Sequence, residues 1–87
     1  MIIHFHKQFE KQLKKMNNKQ REEVKNKLKK FLVDPYSQEL NNHGLQGKYK
    51  NYRSINIKGD LRAIFKLSDD SEEVVFVLIG NHNNLYS

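Results

Sequence analysis

The hydrophobic positions in the first third of the chain follow the spacing of amphipathic helices. A first set recurs at intervals of four, four and three residues: Phe5, Phe9, Leu13 and Met16. A second set has similar spacing: Val24, Leu28, Phe31 and Leu32. Each set lies on one face of a helix, so we predict helices over Lys7–Met16 and Lys19–Leu32. Asn17 and Asn18 separate the helices and supply an N-cap, and Asp34–Pro35 ends the second helix.

The second half of the chain changes to the alternation of polar and apolar residues that is typical of β-strands. This alternation extends over Arg53–Lys58 and again over Leu61–Leu67, with a turn at Gly59–Asp60 between them. Val74–Ile79 is apolar throughout, which is typical of a strand covered on both faces. At the N-terminus, the apolar residues of the segment Ile2–Phe5 indicate a short first strand.

The predicted order of elements is β-α-α-β-β-β within a single domain of residues 1–87. Helices that are separate in sequence from an antiparallel meander predict an α+β fold, in which two N-terminal helices pack on a small antiparallel sheet. Residues 36–51 form a long connection, and long connections are more often functional than short ones. Residues 81–87 are expected to be a short polar tail.

Charge is distributed unevenly along the chain. The net charge is +6 and the pI is near 9.6. Residues 41–66 hold six Lys and Arg against one Asp, whereas residues 67–87 hold four acidic residues and no Lys or Arg. A basic surface attracts nucleic acid, an acidic protein or an anionic membrane. The charges of residues 41–66 lie among strands, aromatic residues and glycines, which favours a binding surface over an ordinary solvated face.

The composition and spacing of residues argue against several classes of site and compartment. The chain has no cysteine, which rules out a disulfide framework and a thiolate metal site. The four histidines lack the spacing of a metal site and no glycine-rich phosphate loop is present, so we expect neither metal nor cofactor. The N-terminus lacks the apolar stretch of a signal peptide, and the longest apolar run is too short to span a membrane. We therefore expect a cytoplasmic protein without a membrane partner.

Candidate reactive residues lie at the ends of the predicted strands. His82 follows the apolar strand, and a histidine there suits proton transfer near neutral pH, although a surface histidine without function explains the position equally well. Asp60 lies in a turn, where capping its own backbone is the simpler explanation. Arg53 and Arg62 lie on neighbouring strands. Two guanidiniums that face one groove suit a phosphate, and ordinary exposed strand charge is the alternative.

Together with His43, these residues include the types that cleavage of RNA without a metal requires. One group must accept the 2′-OH proton, another must protonate the departing 5′-oxygen, and cations must stabilise the charge on phosphorus. Histidine and aspartate suit the proton transfers, and arginine suits the phosphate. Aromatic side chains that are candidates for stacking on bases are Tyr49, Tyr52 and Tyr86.

The chain resembles the YafQ branch of the RelE-type toxins, which are the toxin halves of bacterial type II toxin–antitoxin pairs. The resemblance rests on three segments: His43-x-Leu45-x-Gly47-x-x-x-x-Tyr52-Arg53-Ser54, Gly59-Asp60-x-Arg62-x-Ile64-Phe65, and Ile79-Gly80-x-His82-x-x-Leu85-Tyr86. They cover about half of the chain, and the β-α-α order of the first half agrees with the family. The resemblance implies a RelE/ParE-like microbial RNase fold and a ribosome-dependent mRNA endonuclease that needs no metal.

The resemblance also implies roles for individual residues. His82 matches the catalytic general acid, and His43 and Asp60 match residues of proton transfer or 2′-OH orientation. The expected substrate-binding residues are Arg53, Arg62, Lys48, Lys50 and Tyr86. Relatives often carry a further histidine where this chain has Asn56, and an amide does not exchange protons near neutral pH. The base is therefore expected to be either His43 or Asp60.

The expected partners are mRNA in the ribosomal A site and a cognate antitoxin protein, with which the chain would form a hetero-oligomer. Two other functions remain open at this stage. One is a ParE-like toxin of the same fold that poisons gyrase, since fold does not determine function. The other is a ribosome- or RNA-binding module without catalysis. His43 and His82 favour the nuclease over the gyrase poison, which has no need of an acid and a base.

Overall fold

The computed structural model describes residues 1–86, and the side chains of all of them except Asn84 and Tyr86. The helices and strands in chain order are β1 (Ile2–Phe5), α1 (Lys7–Lys14), α2 (Asn18–Val33), β2 (His43–Gly44), β3 (Arg53–Lys58), β4 (Leu61–Leu67), β5 (Glu73–Asn81) and α3 (His82–Tyr86). Two short 3-10 turns, Gln38–Leu40 and Gly47–Tyr49, lie in the connection between α2 and β3. The predicted order is therefore present, with β2 and α3 in addition.

Both long helices begin at side-chain caps. At the start of α2, Asn17 Oδ1 accepts a hydrogen bond from the Gln20 amide at 2.8 Å, and Gln20 Oε1 accepts one from the Asn17 amide at 3.2 Å. This reciprocal pair is a capping box. Helix α1 ends earlier than predicted, at Lys14, because the Lys15 and Met16 amides donate to carbonyls three rather than four residues back. Arg21 on α2 then donates to the Lys14 and Met16 carbonyls. Those carbonyls lie at the helix end, where they lack partners within the helix.

The five strands form one sheet in the order β1-β5-β4-β3-β2. The strands β3, β4 and β5 make the predicted antiparallel meander, and β2 adds to it antiparallel. Strand β1 instead pairs in parallel with β5, Ile3 opposite Val74. A parallel pair requires a long crossover connection, which here contains both helices. The sheet is therefore mostly, rather than wholly, antiparallel.

The helices pack on one face of the sheet, and five phenylalanine rings meet there. Phe76 of β5 contacts the other four rings at centroid distances of 5.1 to 6.2 Å. Those rings are Phe5, Phe9, Phe31 and Phe65. They belong to β1, α1, α2 and β4, so the Phe76 ring contacts four elements of the fold. No helix among the described residues is long and apolar enough to cross a membrane.

The opposite face of the sheet, called the outer face below, is partly covered by the chain itself. Ile64 alternates with the core residues Ala63 and Phe65, so it faces outward, yet it is fully buried. Leu85 of α3 is also buried, and its carbonyl accepts a hydrogen bond from Tyr49 Oη at 3.0 Å. The expectation of a polar C-terminal tail is therefore wrong: the segment forms α3, because Leu85 has apolar surface to bury.

Candidate active site at one end of the sheet

The strand register brings His43 and Arg62 to the outer face. His43 pairs with Ser54, and Ser54 pairs with Ile64 of β4. Arg62 pairs with Asn56 on one side and with Gly80 on the other. Paired residues share a face of the sheet, and residues two apart along a strand also share one. His43 and Arg62 therefore lie on the same face as Ile64, in adjacent rows.

His82 and Asp60 lie at the same end of the sheet as these two rows. Leu61 pairs with Asn81; Asp60 immediately precedes Leu61, and His82 immediately follows Asn81. Each therefore lies one residue beyond the last pair of β4 and β5, Asp60 in the β3–β4 turn and His82 at the start of α3. Both residues are exposed. The structure thus places Asp60, Arg62 and His82 at one end of the sheet, and His43 on the edge strand β2 in the row next to that of Arg62.

His43 has a hydrogen bond that determines which of its ring nitrogens can act as a base. Its Nδ1 lies 2.8 Å from the Asn41 carbonyl oxygen. A carbonyl only accepts hydrogen bonds, so Nδ1 must carry the proton. In the neutral ring, Nε2 then has the free lone pair. His43 is exposed, so the ring is not buried in the core.

Arg62 is tied to the turn between β3 and β4. Its Nη1 donates to the Gly59 carbonyl at 3.0 Å, and Gly59 holds the turn with a φ of 58°, a conformation that favours glycine. The guanidinium retains further donors for a phosphate. Asp60, in the same turn, lines an open cleft with the Met16–Gln20 end of the helical hairpin.

Arg53 does not share a groove with Arg62, so that expectation is wrong. It pairs with Phe65, whose ring packs on α2, and therefore faces the helices rather than the outer face. Its Nε donates to Asn42 Oδ1 at 2.7 Å, and its guanidinium lies 5.6 Å from the centre of the Tyr36 ring. The contacts with Asn42 anchor the segment that carries His43, so Arg53 supports the site from beneath.

Two buried polar atoms on β3 have no hydrogen-bond partner within the described part of the chain: Ser54 Oγ and Asn56 Oδ1. Both belong to the two rows that carry His43 and Arg62. The sequence predicts no role for Ser54, because a serine on the polar face of a strand is expected to be exposed to solvent. Its complete burial depends on chain segments distant in sequence, which no local signal predicts.

The remaining predicted substrate-binding residues lie in the 3-10 turn before β3 and in α3. Lys48 and Lys50 are exposed, and Lys48 Nζ lies 5.2 Å from the centre of the Tyr49 ring. Through its bond to Leu85, Tyr49 connects this turn to α3. The side chain of Tyr86 lies outside the described residues. Within residues 1–86, no group of three or more His, Asp or Glu side chains is arranged to hold a metal ion.

Comparison with known proteins identifies relatives of the whole chain. Residues 1–87 match the family model for YafQ, described as a bacterial toxin of a type II toxin–antitoxin system. The crystal structure of YafQ from E. coli strain BL21(DE3) is similar with a TM-score of 0.80 and 26% identity, over 98% of this chain and 97% of that chain. A chain of the E. coli DinJ–YafQ toxin–antitoxin complex gives 0.74 and 26%, over 98% and 96%.

The fold also extends to a more distant toxin. A YoeB/ParE toxin from Agrobacterium tumefaciens has a TM-score of 0.77 at 13% identity, over 94% of this chain and 99% of that chain. No curated protein sequence matches the chain. The predicted α+β arrangement of two helices on a small sheet, in a RelE/ParE-like fold, is confirmed.

Proposed function

Because this chain belongs to the YafQ family of bacterial type II toxins, we propose that it is an endoribonuclease that cuts mRNA in the ribosomal A site with its own side chains, without a metal. The observation that carries the proposal is the strand register, which puts Asp60, Arg62 and His82 at one end of the sheet and His43 in the row next to that of Arg62 on the outer face. Its proposed place of action is the cytoplasm, where mRNA is translated.

In the proposed reaction, the 2′-oxygen of a ribose attacks the adjacent phosphorus. His43 Nε2 accepts the 2′-OH proton, and His82 donates a proton to the 5′-oxygen that leaves, so the products are a 2′,3′-cyclic phosphate and a 5′-OH. The hydrogen bond from His43 Nδ1 to the Asn41 carbonyl favours His43 over Asp60 as the base. Asp60 then orients the ribose or supports the imidazolium of His82.

Cations on the outer face complete the proposed site. Arg62 suits the scissile phosphate, since a guanidinium binds phosphate oxygens in a planar, two-pronged geometry. Lys48 and Lys50 extend positive charge toward the neighbouring nucleotides, and Tyr86 is assigned to packing on the substrate. Arg53 contributes by holding Asn42 beside His43 rather than by touching the phosphate.

An antitoxin is the proposed protein partner. E. coli YafQ has been solved as a complex with DinJ, and the net charge of +6 of this chain suits an acidic partner. We propose that a cognate antitoxin forms a hetero-oligomer with this chain and blocks the basic outer face. The arrangement predicts that antitoxin and mRNA compete for the same surface.

The proposal is tested by replacing His82 with alanine. Loss of the general acid should reduce mRNA cleavage by roughly 100-fold or more, because the 5′-oxygen then leaves as an unprotonated alkoxide. Cleavage is measured by primer extension on mRNA in a translating extract. Asn83→Ala, an exposed neighbour on the same helix, is the matched control and should cut at the wild-type rate.

Three outcomes would overturn the proposal. If His82→Ala cuts as fast as wild type, His82 is not the acid. If the wild-type chain arrests translation without producing new 5′ ends, the protein binds the ribosome or RNA without catalysis. If it leaves translation unaffected and induces DNA damage, the target is gyrase and the nuclease assignment fails.

A further inference from the structure

A second surface, outside the set of reactive residues, lies along β5 on the outer face. Two adjoining depressions with volumes of about 530 and 470 Å³ share Tyr52 and Val77 among their lining residues. One extends toward Lys66 and the β4–β5 turn, and the other toward Lys48 and Tyr49. Together they form one continuous open surface, called the β5 groove below.

The floor of the β5 groove is aliphatic and its backbone is already paired. Val75, Val77 and Leu78 line it and remain partly exposed. Strand β5 pairs with β4 along most of its length and with β1 over Glu73–Phe76, and beyond β1 the Ile79 amide donates to Gln12 Oε1 at 2.8 Å. An extended peptide that binds by strand addition needs a free sheet edge, whereas this groove lies on a face of the sheet. It offers flat apolar surface and ring faces instead.

The wall of the β5 groove repeats one arrangement twice. Lys48 Nζ lies 5.2 Å from the centre of the Tyr49 ring, and Lys66 Nζ lies 5.6 Å from that of Tyr52. The two rings meet edge to face at 6.3 Å. Both lysines are exposed and both tyrosines half-buried. Proteins that bind single-stranded nucleic acid combine aromatic platforms for bases with cations for the backbone in this way.

The two ends of the β5 groove differ in charge. At its far end, beyond Lys66, Glu73 is paired with His4 at 2.8 Å and Asp69 is exposed, so phosphate binding should extend no further than Lys66. At its near end, Tyr49 donates to the Leu85 carbonyl of α3, the helix that His82 begins. The cationic part of the groove therefore adjoins the element that carries the proposed acid.

We propose that the β5 groove binds the single-stranded RNA that flanks the cleaved bond, with bases on Tyr49 and Tyr52 and phosphates at Lys48 and Lys66. This inference rests on the proposed nuclease function and adds a binding subsite to it. Tyr52 and Lys66 become the residues that distinguish this subsite, since neither belongs to the proposed proton-transfer set.

The test measures the binding of an RNA that cannot be cut. The probe is a fluorescein-labelled single strand of about ten nucleotides, within the span of known single-strand sites, with 2′-O-methyl groups throughout. Lys66→Glu should raise its Kd about tenfold in low salt, with a smaller effect in high salt. Lys29→Glu makes the same charge change on exposed α2 surface and is the matched control, which should weaken binding less.

A second variant and a direct readout guard against misfolding. Tyr52→Leu should weaken binding by roughly fivefold or more through loss of stacking. Circular dichroism should show that this variant and Lys66→Glu are both still folded, like the wild type, at the temperature of the binding measurement. Ultraviolet cross-linking of the unmodified RNA to wild-type protein should attach it to the peptide that contains Tyr49 and Tyr52. Cross-links confined to other peptides would overturn the proposal.

The outcomes separate this inference from the nuclease assignment. If wild type cuts mRNA and both groove variants bind and cut as it does, the groove is not an RNA subsite while the nuclease stands. If wild type does not cut but Lys66→Glu weakens RNA binding more than Lys29→Glu, the subsite stands and the nuclease fails. If Lys66→Glu weakens only antitoxin binding, the groove belongs to an acidic protein partner and the proposal is wrong.

Discussion

At Ser54 a hydroxyl is fully buried with no hydrogen-bond partner in the described structure. An unsatisfied buried polar group destabilises the fold, whereas a satisfied one is close to neutral or favourable. Replacing this serine with alanine therefore removes no stabilising hydrogen bond. The position of Ser54 between His43 and Ile64 in the register places this unpaired hydroxyl in the row of the sheet that carries His43.

The resulting prediction concerns the stability of Ser54→Ala. Its free energy of unfolding should equal the wild-type value or exceed it by up to about 1 kcal/mol, because no hydrogen bond is lost. Urea unfolding measures the difference. Asn17→Ala is the contrasting variant: it removes a capping side chain with a partner at 2.8 Å and should lower stability by about 1 kcal/mol. A large loss in Ser54→Ala would mean that its hydroxyl has a partner.

At the scale of elements, the turn between β4 and β5 is organised by one carboxylate. Asp70 Oδ1 accepts from Ser68 Oγ at 2.7 Å and from the Glu72 amide at 3.0 Å. The Ser68 hydroxyl first, and the Glu72 amide second, lower the pKa of Asp70 below its ordinary value. These bonds favour the charged form. Ser71 next to it has a positive φ of 60°, so the turn depends on this network rather than on a glycine.

The lowered pKa predicts how this turn responds to acid. Its folded-state value lies below the unfolded one, so the carboxylate stabilises the fold above the unfolded pKa, and that contribution is lost as pH falls through the folded pKa. Asp70→Asn should therefore lose less stability than wild type between about pH 5 and pH 2. Unfolding curves measured across that range provide the check. Ser68→Ala should flatten the same part of the curve, and an unchanged slope in both variants would contradict the assignment.

At the scale of the whole molecule, Phe76 is the residue on which the assembly of elements depends. It contacts aromatic rings from β1, α1, α2 and β4, and it is fully buried. A chain of 87 residues buries a modest core, so a single ring carries a large share of the packing. Loss of that ring affects both helices and both neighbours of β5 together.

Phe76→Ala should lower the free energy of unfolding by about 3–5 kcal/mol, from lost burial and the remaining cavity. Small domains are stable by only about 5–15 kcal/mol, so this loss should lower the melting temperature by at least about 10 °C. Thermal unfolding followed by circular dichroism measures this. Phe76→Leu, which refills part of the space, should lose clearly less. Equal melting temperatures for wild type and Phe76→Ala would show that the core does not converge on this ring.

The local structure was predictable from the sequence, because local signals determine it. The spacing of apolar residues located both helices, and alternation located β3 and β4 with their observed ends, since each side chain's face follows from the period of its own element. The resemblance to a toxin family pointed to His43, Asp60 and His82 from short motifs. The existence of α3 was not predicted, because Tyr49, which donates to the Leu85 carbonyl, comes from a distant part of the chain.

The chain's amino-acid pattern by itself determined the fold class, the order of the main elements and the types of residue available for chemistry. Only the tertiary structure decided which of those residues meet. Strand register separated Arg53 from Arg62 onto opposite faces and joined His43 to the row beside Arg62. It also buried Ser54 and opened the groove along β5. Strand register and the burial of a sheet face depend on pairing between segments distant in the chain. The hydrophobic periodicity of one segment does not specify which distant segment pairs with it.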